Sequence, residues 1–541
     1  MAPVTEKEKV LERLPGSHLR GVKFDESKAC LEGTRQQLLR DIQAWVHSPD
    51  EKCILWLSGG AGSGKSSVAN SIAVFFDGLE RLGACFRFNR DTEDLNNPNY
   101  LFGNLCYQLA HFSERLSGKA HSVIKTMGRV DGSLQTQAKK LLVDTTNAAE
   151  LVGPVVVVID ALDESGSKKM RRDILLAIAA EFPKLPRSIK VLITSRDEVD
   201  IRNSLEGCSR EMRIDDTEGT AEDIASYIQF RMEDIRRHSG IPSGWPKTEK
   251  LQELNRTAER LFIWASVACN FIEDGLDPAV RLNQMLVMTN IGTGERKSAL
   301  TALDNLYYNI LENAFPDKDD LDAFRYVVGS IVAVSTPFTH IGLDSLLGLV
   351  SDAEDPLVFA NGHLLHLSSS NVIISSLRSI LRVDLADPMG REGPVRLLHP
   401  SLFDFLTSRA DDRFRIDLLE QNRILAFRCL AVLNSQLKFD ICDIRNPSLL
   451  NKEIEDLPER IDHCIPEALR YACQFFAYHV AKVLDFDATL TNTLDEFVSK
   501  HLLHWIETMS LLGEISKAEE CMQVLAHLLK VRMKLDFGTN D

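Results

Sequence analysis

The sequence is short of basic charge, of long apolar runs and of paired cysteines. Its 62 Lys and Arg against 78 Asp and Glu leave a formal charge of −16 over 541 residues. That balance argues against a general affinity for nucleic acid, which depends on neutralising phosphates with Lys and Arg. No apolar stretch approaches the ~18 residues that span a bilayer. The segment Glu6-Lys7-Glu8-Lys9 is charged where a secretion signal needs an apolar run. The 11 cysteines are odd in number and scattered, with no C-x2-C pair, so they read as reduced core thiols and not as a disulfide framework or zinc site. No fixed-period repeat is found, so no propeller blades are expected within the chain. These absences predict a soluble, cytoplasmic protein without membrane or nucleic-acid partners. At this length one core is too few, and three or four domains are expected.

What is present is Gly59-Gly60-Ala61-Gly62-Ser63-Gly64-Lys65-Ser66, directly after the apolar run Cys53-Ile54-Leu55-Trp56-Leu57. The pattern G-x-x-x-x-G-K-[ST] wraps backbone amides round a polyphosphate: glycines turn consecutive N–H groups inward, Lys65 reaches the β- and γ-phosphates, and the Ser66 hydroxyl ligates Mg²⁺. Ser67 joins these as a nucleotide-binding position. Average composition produces the octapeptide by chance in roughly 2% of chains this long, and the strand before it lowers that further. Val68, Ile72, Phe75 and Phe76 then recur at helical spacing, so the loop opens a helix whose positive end faces the phosphates.

A helix is predicted over 33–46, with Leu38, Leu39, Ile42 and Trp45 on one face, and strands over 53–57, 84–88, 155–159, 191–195 and 211–214. Val155-Val156-Val157-Val158-Ile159 is bare of polar residues, as a central parallel strand covered on both faces should be. Thr220-x-x-Asp223 reads as a helix cap. Strands alternating with helices specify a parallel α/β sheet that binds ligands beyond its carboxyl ends. Beyond residue 216 the pattern is mostly helical. Two short runs flanking Asp387-Pro388-Met389-Gly390 look like a hairpin and suit a winged helix. The expected division is 1–30, an N-terminal segment; 31–216, a P-loop NTPase core; 217–300, helical; 301–410, winged-helix-like; and 411–541, all-α.

Val155 to Ile159 runs into Asp160-Ala161-Leu162-Asp163-Glu164, three carboxylates just past a buried strand. Asp160 is placed to hold Mg²⁺ through water, and Asp163 or Glu164 to orient an attacking water. Arg196, closing Thr194-Ser195-Arg196, is read as the sensor of a γ-phosphate. The basic run 231–237 reads as a solvated helix face. Cys473 with His479, and His501 with His504, lack metal-site company and are expected at buried helix positions.

Together these motifs resemble the NACHT branch of the STAND NTPases, in particular fungal proteins whose NTPase segment is also described as nephrocystin-type N-terminal. The resemblance covers roughly residues 25 to 510. It rests on Cys30-Leu31-Glu32-Gly33-Thr34-Arg35, the loop, the acidic motif, Leu261-Phe262-Ile263-Trp264-Ala265, and Leu398-His399-Pro400-Ser401-Leu402-Phe403-Asp404-Phe405-Leu406. By that resemblance Thr34 and Arg35 approach the adenine, Arg196 is the sensor, and His399 touches the β-phosphate of ADP. Arg260 and Ala161 depart from it, each standing where relatives commonly carry Gly. Relatives often append WD40 repeats or an effector domain; neither is found, so a shortened paralogue or a fragment is expected.

The resemblance implies a signal-transducing switch of the kind used in innate immunity: ATP or ADP, with GTP possible, bound with Mg²⁺, slow hydrolysis, and homo-oligomerisation on activation with protein partners unknown. The alternative is a scaffold that binds nucleotide and never turns it over.

Overall fold

The structure, a computed structural model, describes residues 6–19, 24–49, 51–90, 92–127, 132–149, 151–258, 260–290, 299–349, 357–360, 363–367, 369–384, 393–446, 449–483 and 487–537. It separates into two compact units, Met1–Leu303 and Asp304–Asp541.

The first unit is built on five strands, β1 (Ile54–Ser58), β2 (Leu82–Arg87), β3 (Val155–Asp160), β4 (Ile189–Ser195) and β5 (Ser209–Arg213). They pair in the order β2-β3-β4-β1-β5, every pairing parallel. β1, β3 and β4 are buried along their whole length, because helices cover both faces of a parallel sheet. β5, at one edge, buries only Ser209 and then alternates half-buried Arg210 and Met212 with exposed Glu211 and Arg213, charges that blunt the edge against pairing with another chain.

Side chains alternate across the sheet, and each face has its own core. One face carries Ile54, Trp56, Val157, Ile159 and Ile193 against α3 (Leu101–Phe112) and α4 (Lys168–Glu181). The other carries Leu55, Leu57, Val156, Val158 and Leu192 against α1 (Gln36–His47) and α2 (Lys65–Gly78). In α1, Leu38, Ile42 and Trp45 are buried as their spacing predicts, with Val46 added. In α2, Val68, Ile72 and Phe76 are buried, but Phe75 is exposed, since adjacent helical positions point about 100° apart.

After the sheet come α5 (Thr220–His238) and α6 (Phe262–Glu273). The Thr220–Asp223 cap does not form: Gly219, at φ 77°, starts α5 without a side-chain cap, and both residues bind Arg35 instead. Arg236 and Arg237 pair with Glu233, and Arg231 with Glu273, so the basic run is neutralised on its own surface.

The second unit is mainly helical, with α7 (Lys318–Ala333), α8 (His340–Leu347), α9 (Leu418–Gln436) and α10 (Glu467–Ala481) at its centre. Two antiparallel pairs interrupt it: β6 (Leu357–Ala360) with β7 (His363–His366), unforeseen in the sequence, and β8 (Leu381–Val383) with β9 (Val395–Leu397), where the hairpin is predicted. The predicted turn residues 387–390 lie outside the described residues. His479 is fully buried between Tyr471 and Asn422, whereas His501 and His504 are half-buried. All 11 cysteines are free. Among the described residues no helix is long and apolar enough to cross a membrane.

Candidate nucleotide site

The glycine loop leaves the carboxyl end of β1 and enters α2 in the conformation its composition requires. Gly62 and Gly64 sit at φ 75° and 94°, left-handed values open to glycine at little cost. Alternating left-handed residues turn successive N–H groups to one side, the geometry of an anion-binding nest. Ser63 is buried and donates to the Gly60 carbonyl at 3.0 Å. Lys65 folds back over the loop, donating to the carbonyls of Gly59 (2.9 Å) and Gly60 (2.6 Å). Burial pushes the Lys65 ammonium below its ordinary value; Asp163, Asp215 and Asp160 pull it back up, while Arg196 adds to the depression. Ala61 and Ser67 are half-buried beside it, and Gly60 is exposed.

Ser66 Oγ donates to Asp160 Oδ1 at 3.1 Å. Thr194, at the end of β4, donates to the same oxygen at 2.5 Å. Asp160 Oδ2 is buried without a hydrogen bond, with Arg87 Nε 3.4 Å away and the Lys65 ammonium near enough to feel the carboxylate. An alcohol and a carboxylate touching beside a buried, under-satisfied oxygen are hard donors, the chemistry that Mg²⁺ takes. The residues therefore fit the metal that the sequence pattern implies.

Past β3 the acidic motif turns through Ala161, at φ 58°. That left-handed value favours glycine, and Ala161 holds it with some strain. Asp163 is bound twice by Arg196, through its backbone N–H (3.0 Å) and Nε (3.2 Å). Glu164 accepts from the Arg90 backbone at 3.2 Å. Arg171, buried in α4, donates to the Asp163 carbonyl at 2.8 Å and pairs with Glu198 and with Asp200 (2.9 Å). It thereby joins the acidic turn to the segment after β4. Of the expected residues, Arg196 and Asp163 are thus together but paired with each other, while Glu164 is held by the Arg90 backbone.

Thr34 and Arg35 are both buried, Thr34 donating its hydroxyl to the Leu31 carbonyl at 2.7 Å. Arg35, however, is committed within the protein. Its Nη2 donates to the Ser63 carbonyl at 3.0 Å, Nη1 to Thr220 Oγ1 at 2.8 Å, and its backbone N–H to Asp223 at 3.0 Å. The guanidinium stands 5.0 Å from the Phe262 ring centre. Ile263 N–H donates to the Gly62 carbonyl at 3.2 Å, so α6 sits on the loop. Arg260 reaches the carbonyls of Asp215 and Thr217. His399 belongs to the second unit; its Nδ1 accepts from Ser401 N–H at 3.1 Å and contacts Ser401 Oγ at 2.8 Å.

Sequence reasoning missed four contributors. Asp215 accepts from Gly60 N–H at 2.8 Å, and Thr194, Arg87 and Arg171 are described above. Thr194 and Asp215 had a signal, being polar residues at the carboxyl ends of strands. Arg171 had none, since nothing in a helical repeat marks an arginine for burial.

A parallel sheet in this order, with the glycine loop leaving β1 and the acidic turn leaving β3, is the P-loop NTPase fold. Residues 33–196 match the family described as Nephrocystin 3, N-terminal; over that segment the chain is similar to the family. No curated protein matches the chain. Among solved structures, a STAND protein with a tetratricopeptide repeat sensor from Pyrococcus horikoshii aligns at 13% identity and TM-score 0.38, over 95% of this chain and 67% of its own. The Drosophila ORC bound to DNA aligns at 12% and 0.31, over 76% and 93%. The Aeropyrum pernix ORC1 protein in complex with DNA gives 16% and 0.29, over 74% and 94%. Likenesses this distant bear on neither ligand nor partner.

Proposed function

We propose that this chain binds a nucleoside triphosphate or diphosphate with Mg²⁺ at the glycine loop and works as a slow, STAND-type nucleotide switch. One observation carries the reading: Ser66 and Asp160, 94 positions apart, meet at 3.1 Å beside Lys65. In this reading Gly59 to Ser67 cradle the phosphates, Lys65 leaves the loop carbonyls for phosphate oxygens, and Ser66 with Asp160 holds the metal. When bound, Mg²⁺ supplies charge neutralisation on the phosphates. Thr34 and Arg35 approach the base, as the resemblance implies. Arg196 reads the terminal phosphate, and His399, from a winged-helix-like domain, holds the β-phosphate of ADP.

The energetics suffice for a switch. Moving a population from 1:99 to 99:1 needs about 5.5 kcal/mol of differential binding. Charge-assisted hydrogen bonds contribute about 1.5–3 kcal/mol each, so two or three contacts present in one nucleotide state are enough. Exchange of ADP for ATP then releases the second unit to homo-oligomerise. The test is ADP retention in His399→Leu: faster release with self-association supports the switch, and unchanged release removes it.

A second reading is favoured by the Asp163–Arg196 pair. A carboxylate engaged by its own sensor is not poised to activate water, which is what a nucleotide-holding scaffold without turnover would show. Phosphate release from the wild type measured against Asp160→Ala separates the two: release above the variant supports hydrolysis, and equal traces support the scaffold.

A further inference from the structure

Arg87 is the last residue of β2, at the sheet edge, and its register partner on β3 is Asp160. Register partners on neighbouring strands point to the same side of a sheet, so the arginine is delivered to the carboxylate by the strand pairing itself. Its Nε stands 3.4 Å from Asp160 Oδ2, with the arginine side chain 43% exposed and the aspartate 4%. The two oxygens of Asp160 differ in their surroundings. Oδ1 is taken by Ser66 and Thr194, whereas Oδ2 is buried without a hydrogen bond and faces Arg87.

We propose that Arg87 is a built-in counter-ion of the nucleotide site that competes with Mg²⁺ for Asp160, so that the site retains a nucleoside diphosphate when the metal has left. The inference rests on the nucleotide reading above and goes beyond it, since that reading gives Arg87 no role. The physics is electrostatic. A dication held by Ser66 and Asp160 meets a guanidinium already at the same carboxylate, and two cations sharing one anion weaken each other's hold. With metal absent, the arginine supplies the positive charge that keeps Asp160 from repelling the phosphates. With metal bound, Arg87 is displaced from Oδ2 and its exposed guanidinium is available to phosphate oxygens. The pair is partly open to solvent, which limits the effect to a few-fold.

The experiment measures binding of fluorescent ADP to the full chain, from chelated to saturating Mg²⁺, for wild type, Arg87→Gln and Arg87→Lys, with thermal unfolding as the folding control. For Arg87→Gln the Mg²⁺ concentration at half-effect should fall by about threefold while metal-free ADP affinity drops by about the same factor. Arg87→Lys, which keeps the charge, should stay near wild type on both. A half-effect that is unmoved or raised in Arg87→Gln overturns the inference and leaves nucleotide binding standing. A wild type that binds no ADP at any Mg²⁺ concentration overturns the nucleotide reading itself.

Discussion

Arg196 holds Asp163 at two points, its backbone N–H donating to Oδ1 at 3.0 Å and its Nε lying 3.2 Å from Oδ2. The aspartate side chain is 6% exposed, so removing the guanidinium strands a charge. Arg196→Ala should destabilise the first unit by about 3 kcal/mol, the lower end for breaking a buried pair. Asp163→Asn keeps an acceptor for the backbone N–H and should cost about half as much. Urea unfolding of the two variants checks the ranking; equal losses would mean that stranding the Asp163 charge adds no cost.

Ala161 occupies a left-handed φ of 58°. A Cβ in that region costs about 1–2 kcal/mol, part of which is offset by the greater freedom of glycine in the unfolded chain. Ala161→Gly should therefore stabilise the protein by about 1 kcal/mol. Thermal unfolding reads this as a rise in Tm, and a fall would show that the alanine methyl packs better than its backbone is strained.

Arg35 ties the loop at Ser63 to α5 at Thr220 and Asp223. Arg35→Met keeps much of the buried volume but loses both side-chain bonds, leaving the Ser63 carbonyl unpaired at a cost of about 1–3 kcal/mol. Hydrogen exchange should accelerate in the loop and the first turns of α5 with β3 unchanged. Uniform protection throughout would mean that the arginine couples nothing.

Much of the sheet and the phosphate site is legible in the sequence because both depend on local pattern. Val155 to Ile159 is an unbroken apolar run, and the glycine loop has fixed spacing; each states its own conformation. Arg35 was not legible, since its role depends on Thr220 and Ser63, 185 and 28 positions away. The same holds for Thr220 and Asp223, whose capping pattern yields to Arg35: the buried guanidinium takes Thr220 Oγ1 and the backbone N–H takes Asp223. Arg87 was hidden because only strand register sets it beside Asp160. The β6–β7 pair escaped notice because strands of four residues are too short to show a period.

His479 is buried neutral, its pKa lowered from 6.5 to about 3 by burial, with Lys482 adding to it. The unfolded chain binds this proton near 6.5 and the folded one does not, so stability is full above that value and falls as pH drops toward 3. The slope is about 1.4 kcal/mol per pH unit. Between pH 6.5 and roughly 5 the wild type should lose about 2 kcal/mol more than His479→Gln. Denaturant unfolding of both at the two pH values checks this; parallel losses would place the acid sensitivity elsewhere.

The most direct test of the nucleotide site is calorimetric titration of ATP with Mg²⁺ into wild type and Lys65→Ala, each shown folded by circular dichroism. The ammonium that bonds the Gly59 and Gly60 carbonyls should transfer to phosphate, so its loss weakens binding by about 100-fold, two charge-assisted bonds' worth. Saturable wild-type binding that all but vanishes in Lys65→Ala is the result expected. Equal affinity in the two proteins, or no binding by the wild type, would contradict the account.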